Sequence, residues 1–69
     1  GVSEIIVGLS KTIEEGIAEG SIAPIQDPNG VAQSIYYQWL GASLIAGLTQ
    51  DSTPLKTALK STASAIPPA

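Results

Sequence analysis

Between Asp27 and Asp51 lie 23 residues without a charge, and no other stretch constrains the fold as tightly. Asp27 followed by Pro28 is a helix start: a carboxylate to accept from free N–H groups, then a ring that pre-sets φ at the first helical position. At about 100° per residue, Val31, Ala32, Ile35, Trp39, Ala42 and Ala46 fall on one side of that helix. Tyr37, Gly41, Leu44 and Leu48 fall on the opposite side, flanked by Leu40 and Ile45. A helix at the surface of a lone domain needs one apolar stripe. The second stripe, confined to the C-terminal half, needs something further to pack against, and 69 residues leave little to supply it. The pattern calls for another polypeptide.

Composition sharpens that demand. The chain is 43% hydrophobic, but it has no Phe or Met, one Trp and two Tyr, so its apolar content is Ile, Leu, Val and much Ala. A core of that kind and length stabilises a monomer by a few kcal/mol at most. Cysteine is absent, so neither a disulfide nor a thiolate metal site adds to it. A chain without cysteine is compatible with a reducing cytoplasm. The net charge of −3, with three scattered lysines and no arginine, argues against this segment gripping nucleic acid. No charged n-region with a cleavage site opens the chain. A first residue of Gly rather than Met reads as a fragment of a longer protein.

Three helices are predicted. The first runs from about Ser3 to Glu19, with Val2, Ile5, Ile6, Leu9, Ile13 and Ile17 as its stripe and Glu4, Lys11, Glu14, Glu15 and Glu19 turned away. Gly20 stands where a left-handed glycine ends a helix. Gly8 and Gly16 inside it cost roughly 1 kcal/mol each relative to Ala, so tertiary packing must hold it. Pro24 blocks helix in the connection from Ser21 to Gln26, and Ile22 and Ile25 are placed to tuck onto the core. The second helix runs from Pro28 to about Leu48. A polar turn follows, and Ser52 or Thr53 caps a third helix with Pro54 at its start and Leu55, Ala58, Leu59, Thr62 and Ile66 as its stripe. The fold class is all-α. Short turns make helices two and three an antiparallel hairpin. Two copies about a twofold axis would bury its outer side as a four-helix bundle, with Tyr37, Gly41, Leu44, Ile45, Leu48, Leu55 and Leu59 at the interface and some of Ile66. Gly41 and Gly47 fit that reading by letting backbones approach closely.

Catalysis finds no foothold, and the chain does not read as an enzyme. Without His or Cys, the usual bases, nucleophile pairs and zinc ligands are missing. Glu15 and Glu19 stand one turn apart, but a hard cation wants about six or more oxygens, so the pair reads as a solvated acidic face. No cofactor is implied. Lys11 is spaced to pair with Glu14 or Glu15 on the helix surface. Tyr36, Gln38 and Trp39 combine aromatic and polar groups as small-molecule pockets do. Ordinary burial instead makes Trp39 the anchor between helices one and two.

This order of signals resembles the C-terminal end of a tetracycline-repressor (TetR) family transcriptional regulator. The matching string is Glu19-Gly20 closing a helix, Ile22, Asp27-Pro28 opening the next, then Val31, Ala32, Ile35, Trp39, Leu40 and Gly41, with a shorter last helix starting near Leu55. The resemblance covers nearly the whole chain, residues 1–69, as the last third of such a protein. It implies a cytoplasmic repressor or activator that binds DNA through an N-terminal helix-turn-helix domain absent from this chain. It also implies a homodimer formed by the last two helices, and an unknown small-molecule effector for which this chain supplies at most one wall, with Tyr36 and Trp39 touching it.

The alternative, from a different class, is a stand-alone helical interaction or membrane-active peptide assembling through the central helix. The uncharged stretch exceeds the roughly 20 residues that cross a bilayer. It also carries Asn29, Gln33, Gln38 and Gln50, two serines and three glycines, and both flanks are acidic. Membrane-flanking segments favour Lys or Arg. The regulator reading therefore takes no membrane as partner.

Overall fold

A computed structural model describes all residues, 1–69, as three helices: α1 (Val2–Glu19), α2 (Pro28–Thr49) and α3 (Thr53–Ala65). α2 begins as its residues dictate. Pro28 occupies the first turn, and the Asp27 carboxylate accepts from the Gly30 N–H at 3.1 Å. A Cβ at position 30 would run into that carboxylate. α1 ends on Gly20 in the left-handed conformation, φ 85°. The Ser21 and Ile22 N–H groups then donate to the Gly16 carbonyl at 2.9 and 3.1 Å, which folds the connection back. Ile22 lies over Gly16 so closely that a Cβ there would overlap it, with Ile22 Cγ1 at 2.8 Å. The internal glycine of α1 thus seats the connection, a role its propensity cost concealed.

The turn into α3 differs from expectation. Ser52 makes no side-chain cap bond. Asp51 does that work: its Oδ1 accepts from the Thr53 N–H at 3.0 Å and the Thr53 hydroxyl at 2.8 Å. A carboxylate offers more acceptor capacity than a hydroxyl, and here one oxygen takes both donors. Gln50 closes α2 in the left-handed region, φ 55°, where Gly or Asn is the usual occupant.

α1 packs on α2 and α2 on α3, while α1 and α3 do not meet. The helices lie side by side with α2 in the middle. The molecule measures 39 × 26 × 15 Å. The middle figure suits three helices abreast at spacings of about 8–10 Å. Its radius of gyration is 13.0 Å, against about 11 Å for a compact domain of this length. Eight of 69 residues are buried, and none of the large side chains is fully enclosed. The core is Ile6, Ile13 and Ala32, with Leu9, Ile17, Ile25, Val31, Tyr36 and Ile66 packed against it. Ile66 is therefore an inward residue and not part of the hairpin's outer side. Beyond α3 the chain turns inward and pairs with the α1–α2 connection through an isolated antiparallel bridge, Ile22 to Pro68. At the other end, Val2 and Ile5 of the α1 stripe stand about half exposed, at 48% and 50%. Lys11 makes no ion pair with Glu14 or Glu15.

No helix is long and apolar enough to cross a membrane. The glutamines, serines and glycines of α2 dilute its apolar run.

Candidate functional site

The two faces of α2 meet different fates. On one, Ala32, Ile35 and Ala42 are buried and Val31, Trp39 and Ala46 half-buried. On the other, Tyr37, Leu40, Leu44, Ile45 and Leu48 are half or more exposed, reaching 84% at Leu48. Opposed apolar stripes leave α2 with almost no net apolar side, unlike α1. The most deeply buried residues where α2 meets α3 are small ones: Ala42, and Ala58 at 1% exposure. Leu59 points away from that seam, 60% exposed, while Leu55 and Gly41 are half-buried. A Cβ at Gly41 or Gly47 would meet nothing within 4 Å, so neither glycine serves a contact within this chain.

The whole chain exposes 4648 Å². A folded monomer of 7.0 kDa ordinarily exposes about 4,000 Å², so roughly 600 Å² is in excess. A stable interface covers about 800 Å² on each partner, a comparable area.

An open cleft of ≈ 590 Å³ runs between α2 and α3 toward their turn. Tyr37, Gly41, Ala42, Ile45 and Ala58 line its apolar part, and Gln38, Thr49, Asp51, Thr53 and Thr57 supply polar groups. The Thr53 backbone N–H and then its hydroxyl hold the Asp51 carboxyl below the ordinary carboxylate value. Asp51 is thereby committed to capping α3.

The three residues singled out for a small molecule do not share this cleft. Gln38 lines it. Tyr36 packs against the core and stands edge-on to Tyr37, ring centroids 6.1 Å apart. Trp39 is half-buried and its indole N–H donates to the Thr62 hydroxyl at 2.8 Å, which in turn donates to the Ala58 carbonyl at 2.8 Å. Trp39 therefore joins α2 to α3, where the sequence suggested α1. The polar edge of the ring decides this, because Thr62 offers it an acceptor and the apolar α1 stripe offers none. No three His, Cys, Asp or Glu side chains come together as a metal site. Comparison of the chain with protein families, with curated proteins and with solved structures finds no match.

Proposed function

We propose that this chain is the dimerisation and partial effector-binding segment of a TetR-like transcriptional regulator. Two copies pack their α2–α3 hairpins about a twofold axis as a four-helix bundle. The observation that carries the reading is the unpartnered apolar face of Tyr37, Leu40, Leu44, Ile45, Leu48 and Leu59. Beside it lies the small-residue cleft, whose floor of Gly41, Ala42 and Ala58 suits a leucine knob from a facing helix. The regulator context rests on the resemblance in the order of signals. In that context the protein is cytoplasmic and DNA is bound by an N-terminal helix-turn-helix domain. The bundle sets the separation of two reading heads, which must match half-sites about 34 Å apart. A small-molecule effector touching Tyr36, Gln38 or Trp39 changes the angle at which α2 meets α3, and so that separation.

Sedimentation tests the first part cleanly. Leu44 and Leu48 are 62% and 84% exposed, so a charge there costs an isolated chain little. Placed against a second copy, the same charge is buried without a partner and costs several kcal/mol. The parent chain should sediment as a dimer, and Leu44→Glu and Leu48→Glu as helical monomers. A monomeric parent, or variants that remain dimers, would overturn the interface. The regulator context is read separately, from the residues encoded before Gly1. A helix-turn-helix with a basic flank supports it, and a natural start at α1 removes it.

A further inference from the structure

α1 and α3 each pack on α2 and not on each other, so two independent hinges would be open to them. The segment after α3 closes that freedom. Ile66 packs into the core with Ile6, Ile13 and Ala32. The Ala23 N–H donates to the Pro67 carbonyl at 3.0 Å, and the Ala69 N–H to the Ser21 carbonyl at 3.4 Å, one bond on each side of the Ile22–Pro68 bridge. In such a pair the two facing residues exchange no bond, so Pro68 forfeits nothing by lacking an N–H. Pro67 contributes only its carbonyl. Both rings fix φ, so the tail is already extended and loses little entropy on docking. The receiving side is equally set, because Ser21 and Ile22 are both bonded to the Gly16 carbonyl of α1.

We propose that Ile66–Ala69 is a latch coupling α1 to α3 within one chain, so that a displacement of α1 reaches α3 directly and not only through α2. The latch does not rest on self-association, and its test is read within single chains. The sequence has no cysteine, so introduced pairs carry spin labels without background. Lys11→Cys with Lys60→Cys reports α1 to α3, and Ser43→Cys with Lys60→Cys reports α2 to α3. Labelled chain is diluted into excess unlabelled chain, so that only intrachain distances register. Ala69→Pro deletes the donor beyond the end of α3, and Ala23→Pro deletes the donor in the connection. In either variant the α1–α3 distance distribution should widen while the α2–α3 distribution holds. In Ala69→Pro the exchange of the Ala23 N–H should also quicken roughly threefold to tenfold, the factor for one hydrogen bond of ordinary net strength. An unchanged α1–α3 distribution in both variants overturns the latch. So does widening of both pairs together, which would make the tail a general support of the fold.

Discussion

The two ends of the layer are built on opposite plans. Where α1, the first half of α2, the connection and the tail converge, large side chains turn inward: Ile6 and Ile13 are buried, and Ile25 and Ile66 pack on them. Where the second half of α2 meets α3, Ala42 and Ala58 turn inward while Leu44, Leu48 and Leu59 turn outward. The first end completes its own core. The second holds two helices together and leaves its larger apolar groups without cover. Similar apolar content can thus be closed inside or left facing solvent, depending on which residue sizes face the seam.

Three changes probe that contrast. The largest effect belongs to Ile13→Ala at the finished end. With Ile13 only 4% exposed, the change should remove about 2–5 kcal/mol, read as a lowered urea midpoint, and it would leave so small a domain barely folded. Loss below about 0.5 kcal/mol would mean that this end is no more closed than the other. A middling effect is expected for Thr62→Val at the seam of the hairpin. The Trp39 indole N–H would lose its acceptor at a half-buried site, costing about 1 kcal/mol and shifting the tryptophan emission. Unaltered emission would show that the ring is held by packing alone.

The smallest effect concerns the turn. Asp51 has a lowered folded-state pKa, so its capping contribution is fully present above the unfolded value of about 3.9. That contribution is lost as acid carries the pH down through the folded value. Amides in the first turn of α3 should lose protection in that window while α1 amides do not, and Asp51→Asn should abolish the difference. Equal loss in both helices would assign the acid effect to the carboxylates of α1 instead.

Much of this architecture is legible in the residues. Asp27-Pro28 and Gly20 mark the ends they are read to mark, and the two faces of α2 separate as their spacing predicts. What escapes the sequence is contact between distant or single residues. The bridge from Ile22 to Pro68 involves one residue from each segment and leaves no periodic trace. Asp51 is hidden as a cap because it stands one place before the residues that capping statistics favour here. Trp39 shares a helical side with Ile35, which suits α1 as well as α3, and only the position of the Thr62 hydroxyl decides between them. Ile66 follows the helical period onto the stripe of α3, but Pro67 bends the chain inward there. The candidate interface is visible as a face without a partner. The small-molecule trio is not legible as one site, since adjacent helical positions diverge.

Methyl groups at the meeting line of α2 and α3 have an effect on their neighbours as well as on the line itself. Ala42 and Ala58 bury no more than a methyl each, and the long side chain seen to bridge the two helices is that of Trp39, which ends on Thr62. Leu44, Leu48 and Leu59 stand clear of that line, each 60% or more exposed. Small residues inside leave the larger apolar area of this end facing solvent.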